Sequence, residues 1–348
     1  MTSQETRQRF YHARSFLDSP STESPLRDYC FPMNYLVTGG AGFIGSHLIE
    51  ALLKQGNQVT IIDNFNDYYD PKIKRLNIAR VLDQITLIEG DIRDSQLMDQ
   101  MFTEGEFDTI IHLAARAGVR PSIQEPKLYL TTNIDGTFNL LEACRQNGVK
   151  DFIFGSSSSV YGVNPKVPFS ETDALTRTIS PYAATKLAGE QLCSNYSHLF
   201  GIRCMCLRFF TVYGPRQRPD LAISKFTKNI LSDVPIQQYG DGTTARDYTY
   251  VEDIVTGIIS AANYRESDFE IFNIGGSATT NLAELIKLVE GACEKEAIIE
   301  ITGDQPGDVP RTFADVGKAH SLLGYSPQTP IAHGIEKYVE WFKSIHSA

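Results

Sequence analysis

The sequence predicts an α/β protein: a doubly wound parallel sheet with a smaller C-terminal α/β lobe. Three observations carry this. Short apolar runs alternate with longer helical patterns from Asn34 onward. The first of these runs leads into a glycine-rich turn, Thr38 to Gly45. After about residue 210 the alternation loosens, and Gly and Pro become frequent in stretches such as GPRQRP, YGDG and GDQPGD. Mostly apolar strands separated by helices indicate βαβ units whose sheet is covered on both faces.

In chain order, residues 1–32 show no sustained period and are expected to be a disordered N-terminal extension, with Met33 a possible biological start. They lack the apolar stretch of ~7–15 residues that a secretory signal needs. Their Arg and Ser content suggests an organelle transit peptide, against which Glu5, Asp18, Glu23 and Asp28 stand. Strands are expected at Tyr35–Thr38, Gln58–Asp63, Thr86–Glu89, Thr109–Leu113, Asp151–Ser156 and Ile202–Phe209. Helices are expected at Ile44–Lys54, Ser95–Phe102, Leu130–Asn147 and Tyr182–Phe200. Gly56, Gly148 and Gly201 each follow a helical pattern, as helix-ending glycines do.

Composition excludes several classes. The 348 residues are 42% apolar and 21% charged, which is ordinary for a globular chain and argues against wholesale disorder. No window approaches the ~18 consecutive apolar residues of a membrane span. The net charge is −10 and no basic stripe stands out, so nucleic acid is not expected as a partner. Local arginines and helix N-termini can still hold an anion. The six cysteines form no C-x-x-C pair and share no zinc spacing with histidine. No metal is expected, and buried reduced thiols fit a cytoplasmic protein. In the run Ile202 to Phe210, period 2 puts Cys204 and Cys206 on one strand face.

The turn TGGAGFIG places Gly39, Gly42 and Gly45 at a spacing of three between a strand and the helix expected from Ile44, with Phe43 and Ile44 also expected against the cofactor. The first glycine permits the tight turn, the second lets backbone approach a pyrophosphate, and the third lets helix pack on strand. The helix N-terminus supplies N–H donors and the positive dipole end. Asp63 closes the second strand 18 positions after Gly45, placed for a ribose diol. No arginine follows directly at Asp63-Asn64-Phe65, so NAD is expected rather than NADP. This is a Rossmann-type pattern. Asp91-Ile92 after the third strand and Leu113-Ala114-Ala115 after the fourth are expected at the same sheet edge, against the cofactor.

Tyr182-Ala-Ala-Thr-Lys186 sets a phenol and an ammonium on one helix face. A nearby cation favours the phenolate and makes Tyr182 a base for a sugar hydroxyl. Ser156 to Ser159 end the fifth strand and offer hydroxyl donors. Each feature alone is weak. Glycine turn, serines and Y-x-x-x-K in this order make chance a poor account of all three.

The ordered set TGGAGFIG, DN, GDI, HLAA, SSSSVYG, YAATK, LRFFTVYG and ARDYTYVEDI resembles the extended short-chain dehydrogenase/reductase family over residues 34–344. Within it, DNFNDYYDPKIK, AARAGVR and RFFTVYGPRQRPD are similar to the UDP-glucuronate 4-epimerases among the NAD-dependent nucleotide-sugar epimerases. The resemblance implies an NAD-binding domain over residues 33–210, to which later segments return. It implies a mainly UDP-sugar-binding lobe over 211–348, usually in a homodimer. It implies Tyr182 as base, Lys186 as its pKa partner and ribose contact, and Ser157 as the hydroxyl at the sugar O4. Ser158, Ser159, Thr211 and Arg218 would surround a uronic carboxylate, Arg246 the UDP diphosphate, and Asp308 more loosely the uridine ribose. Gln305 stands where the family often has a second diphosphate arginine, and Arg120 and Arg311 are further anion candidates.

The implied reaction oxidises and re-reduces C4 of a UDP-hexuronic acid through a 4-keto sugar, converting UDP-glucuronate to UDP-galacturonate with NAD regenerated. Similar 4,6-dehydratases carry an Asp-Glu pair after the Ser/Thr, and similar UDP-glucuronate decarboxylases a Glu before V-Y-G. Ser158 and Ser159 stand there instead. The first alternative is a 4-epimerase of UDP-glucose or UDP-N-acetylglucosamine; behind it stand a nucleotide-sugar decarboxylase or dehydratase and, from another class, a non-catalytic NAD-binding regulator. A regulator would have no need of both Tyr182 and Lys186.

Overall fold

The computed structural model describes residues 32–303 and 309–346. The expected N-terminal extension, apart from Pro32, and Asp308 lie outside them. From Met33 onward the chain is one compact unit. Its first part runs β1 (Asn34–Thr38), α1 (Phe43–Lys54), β2 (Gln58–Asp63), α2 (Pro71–Ile78), β3 (Thr86–Glu89), α3 (Ser95–Glu104) and β4 (Thr109–His112). It continues through α4 (Val119–Gln124), α5 (Pro126–Leu130), α6 (Gly136–Asn147), β5 (Asp151–Ser157), α7 (Pro181–Phe200) and β6 (Arg203–Phe209).

These strands, joined by β11 from much later in the chain, make a seven-stranded parallel sheet of order β11-β6-β5-β4-β1-β2-β3. The intervening strands are β7 (Thr211–Tyr213), β8 (Ile236–Tyr239), β9 (Ala245–Arg246) and β10 (Tyr248–Tyr250), and β11 spans Phe269–Ile274. The order reverses between β1 and β4, whose last paired residues are Thr38 and His112. Crossovers leave this point in opposite directions, so a crevice opens at the carboxyl ends of the two strands.

Local signals match local structure. Gly56, Gly148 and Gly201 have φ of +82°, +74° and +63°, the left-handed conformation of a helix stop. Cys204 and Cys206 share one buried cluster with Cys144 and Cys193, while Met205 and Leu207 belong to the cluster on the opposite face. All five described cysteines are free and buried. Helix α2 has clear signals of its own: Asp70 caps the N–H of Lys72, and Pro71 takes the first turn. The helix expected over Leu130–Asn147 is not continuous. A π-helical turn, Thr131–Asp135, interrupts it and buries Thr132 and Asn133.

Helices α8 (Ala222–Leu231), α9 (Val251–Asn263), α10 (Leu282–Cys293), α11 (Gly317–Leu323) and α12 (Ile331–His346) complete the described chain with two short strands, β12 (Thr280–Asn281) and β13 (Ile299–Thr302). A separate core of Tyr213, Ile223, Phe226, Leu285, Val289 and Tyr338 holds α8, α10 and α12 together. No described helix is long and apolar enough to cross a membrane.

Candidate active site

The glycine turn is built by close contact. A Cβ at Gly45 would overlap the carbonyl oxygen of Gly39 and lie 2.8 Å from Gly40 Cα. At Gly39, whose φ is +70°, a Cβ would lie 2.8 Å from the backbone N of Ala114. Neither position admits another residue, and the backbone is left bare. The N-cap of α1 is Gly42, which brings no side chain to the first-turn N–H groups. That is the donor arrangement a diphosphate requires. Thr132 adds an independent sign of a missing ligand. Among the described residues its buried Oγ1 has no hydrogen-bond partner, and the residue lines the same cleft.

One cleft gathers most of the expected residues. Gly39, Gly42, Phe43, Ile44, Gly45, Asp63, Asp91, Ile92, Leu113, Ala114 and Ala115 line it, and so do Ser157, Tyr182, Lys186, Thr211 and Arg218. The Asp63 side chain is nearly buried. Burial pushes its carboxyl up, and the Lys74 ammonium at 3.8 Å and the N–H groups of Phe65 and Ala41 oppose this. Asp91 is held by Arg93 at 2.7 Å and Asn64 at 2.9 Å; despite burial, these bring its carboxyl down to about 2.

At the reacting end three groups are set against partners within the chain. The first is Lys186. Its Nζ donates to the Gly155 carbonyl oxygen at 2.7 Å, and burial pushes its own pKa down to about 8. Burial drives the Tyr182 phenol up, while a hydrogen bond with Ser157 and the charge of Arg218 pull it down. Ser158 and Ser159 do not line the cleft. The chain leaves β5 in a single turn, Ser158–Tyr161, that leaves only Ser156 and Ser157 facing it. Ser159 backs Ser157: its N–H donates to Ser157 Oγ at 3.2 Å, and the two hydroxyl oxygens lie 3.2 Å apart. Arg218 is engaged: its Nε and Nη2 each donate to Asp220 at 2.9 Å.

Arg246 lines a second cavity together with Arg120, Tyr239 and Tyr248. The loop from Pro215 to Asp220 lies between the two spaces: Arg218 lines the first cleft, Pro219 and Asp220 the second. Arg311 lines neither and donates to Thr279 at 2.9 Å.

Two buried networks support the site, and neither is visible in a motif. Thr137 donates to the Asn133 carbonyl at 2.6 Å, so it accepts from His112 Nε2 at 3.0 Å. That leaves His112 Nδ1 to accept from Thr38 at 2.7 Å, and Thr38 Oγ1 to accept from the Ala114 N–H at 3.1 Å. Burial, with the Lys186 charge, pushes His112 down to about 3, so it stays neutral. Below α7, Glu190 accepts two bonds from Arg208, at 2.9 and 2.8 Å, and a third from Ser156. Both ion-pair side chains are almost completely buried.

The family model described as GDP-mannose 4,6 dehydratase matches residues 36–338. The chain is 41% identical to UDP-glucuronate 4-epimerase 4 of Arabidopsis thaliana over 333 residues, covering 90% of this chain and 76% of that one. It is similar to the structure of UDP-glucuronic acid 4-epimerase from Bacillus cereus in complex with UDP-glucuronic acid and NAD. There the identity is 39% and the TM-score 0.83, with 90% of this chain and 100% of that one covered. It is also similar to UDP-glucose 4-epimerase from Thermotoga maritima with UDP-glucose, with 34% identity, a TM-score of 0.84 and the same coverage.

Proposed function

The chain belongs to the family described as GDP-mannose 4,6 dehydratase, among the extended short-chain dehydrogenase/reductases, and we propose that it is an NAD-dependent 4-epimerase converting UDP-glucuronate to UDP-galacturonate. The observation that carries this is the single cleft in which the glycine turn and Asp63 meet Ser157, Tyr182, Lys186 and Arg218. Relatives of about 40% identity are UDP-glucuronate 4-epimerases. We propose a two-part organisation: an NAD-binding domain over 33–210, completed by the later strand β11, and a UDP-sugar lobe over most of 211–348.

The residues present fit NAD. The bare backbone of Gly39, Gly42, Phe43, Ile44 and Gly45 would hold its diphosphate, and Asp63 a ribose diol. Asp91, Ile92, Leu113, Ala114 and Ala115 would flank it. When bound, NAD supplies reversible hydride transfer at one sugar carbon. Tyr182 then takes the O4 proton and later returns it. Ser157 holds the oxygen in line through its hydrogen bond with the phenol. Lys186, held on the Gly155 carbonyl, would contact the nicotinamide ribose, and its charge would favour the phenolate. In the second cavity, Arg246 would hold the UDP diphosphate while the hexose turns over.

Ser158 and Ser159, not carboxylates, follow Ser157, so the residues directly after it offer no base for the C5 proton that a dehydratase removes. A 4-epimerase of UDP-glucose or UDP-N-acetylglucosamine is the second reading, favoured by the likeness to the Thermotoga maritima enzyme. We propose a cytoplasmic homodimer. Leu130, Phe138, Leu199 and Phe200 are 41–65% exposed on α5, α6 and α7, an apolar surface suited to a second copy. Ultracentrifugation should give twice the chain mass.

The deciding experiment is product analysis by NMR with the three UDP-sugars side by side. UDP-galacturonate should form from UDP-glucuronate without net consumption of NAD. Release of CO₂, or turnover confined to the neutral sugars, overturns the reading.

A further inference from the structure

Five cationic side chains line the cleft: Lys74, Arg93, Arg116, Lys186 and Arg218. Lys74 pairs with Asp63, Arg93 with Asp91, and Arg218 with Asp220. Lys186 is turned inward on the Gly155 carbonyl. The Arg116 guanidinium differs from all of these. Among the described residues it has no carboxylate partner, and its side chain rests on the ring of Tyr68, 5.8 Å from the centroid.

Two further facts fix where that charge sits. The Arg218 guanidinium packs on the same ring, 5.4 Å from its centroid. Both arginines therefore pack against one tyrosine ring in the same cleft. The Arg116 backbone is pinned at both polar atoms by one side chain: its N–H donates to Asn133 Oδ1 at 2.8 Å, and its carbonyl accepts from Asn133 Nδ2 at 3.0 Å. The residue is held rigidly at its base, with its head free.

The electrostatics then distinguish the two arginines. Arg218 and Asp220 together carry no net charge, and the Nε–Nη2 edge of Arg218 is occupied. A substrate carboxylate approaching that pair meets Asp220 as well as Arg218, so the pair alone gives it little net attraction. A guanidinium with no carboxylate partner among the described residues, packed on the same tyrosine in the same cleft, restores the positive sign. We infer that Arg116 is a specificity-determining residue that supplies the uncompensated charge for the uronic carboxylate. This rests on the UDP-glucuronate reading above. The same chemistry would suit the cofactor diphosphate, and the test separates the two sources.

Arg116→Gln and Arg116→Lys are compared with the unaltered protein for bound NAD, melting temperature and steady-state kinetics on UDP-glucuronate and UDP-glucose. The expected result for Arg116→Gln is a fall of about tenfold or more in the preference for UDP-glucuronate over UDP-glucose, expressed in KM, as befits one lost charge-assisted hydrogen bond. Arg116→Lys should recover part of it. Equal losses on both sugars, an unchanged preference, or protein purified without its NAD each overturn the inference, the last assigning Arg116 to the cofactor diphosphate. If the unaltered protein turns over UDP-glucose alone, it is the functional reading that fails.

Discussion

Asn133 Nδ2 donates to Thr185 Oγ1 at 2.9 Å, joining the π-helical turn to the helix that carries Tyr182 and Lys186. Thr185 donates in turn to the Tyr182 carbonyl at 2.8 Å. Through Asn133 the chain continues to Thr137, His112 and Thr38, so the strand ends under the cofactor site and the helix bearing the base form one hydrogen-bonded body. The π turn is what brings Asn133 inward, consistent with the frequent use of such turns at functional sites. Asn133→Ala should therefore lower kcat by about 10–100-fold through misplacement of Tyr182. An unchanged kcat, measured with substrate and NAD saturating, would show that the helix holds its position alone.

Tyr182→Phe removes the proton acceptor and little volume. A positioned acid–base contributes roughly 10²–10⁴-fold, and a loss of this size in kcat is expected with bound NAD retained. Full activity would refute the role of base.

Arg218 and Asp220 should show strong coupling. Arg218→Ala leaves the Asp220 carboxylate at the mouth of the cleft without its partner, and UDP-glucuronate binding should weaken more than UDP-glucose binding. Asp220→Asn added to Arg218→Ala should recover part of the loss. A double-mutant cycle on KM would give a coupling of about 1–3 kcal/mol. Additive effects would mean that the pair does not act together on the substrate.

His112 makes stability depend on pH. Its pKa is about 3 in the fold against 6.5 when free. Between these values the unfolded chain binds a proton that the folded chain does not. Its contribution to stability is thus complete above pH 6.5 and is lost as the pH falls toward 3, at about 1.4 kcal/mol per pH unit. Denaturant titrations of His112→Gln at several pH values should show a slope shallower by about that amount. An equal slope would mean that His112 takes up its proton in the native state.

Gly45→Ala tests the glycine turn. The new methyl would collide with the Gly39 carbonyl and the Gly40 Cα, both backbone and unable to yield. Protein purified from this variant should carry no NAD, as absorbance would show. Retention at the usual ratio would place the diphosphate elsewhere.

Much was legible before any coordinates. Period and punctuation gave β1 to β6 and the doubly wound sheet, because apolar alternation and helix-stop glycines are local properties of the chain. The spaced glycines, Asp63, Ser157, Tyr182 and Lys186 stand out in the chain because each has a fixed distance to a strand end or to the others along one helix. The contacts of Ser158, Ser159, Lys186 and Arg218 could not be read this way. They depend on how the chain turns after β5 and on which group a long side chain meets. Lys186 found a carbonyl 31 residues away along the chain. Arg218 found Asp220 two residues on, a pairing the sequence allows and does not require.

The sequence by itself determined the sheet, the glycine turn and the pairing of Tyr182 with Lys186 on one helix, since these follow from residue type and spacing. The tertiary structure alone decided the charge balance of the cleft. Which of its five cations meets a carboxylate is settled by which way each long side chain turns: Arg93 and Arg218 meet Asp91 and Asp220 two residues away and Lys74 meets Asp63, while Arg116 meets none among the described residues. Sequence order allows these pairings without requiring them, because electrostatic interaction depends on distance and burial.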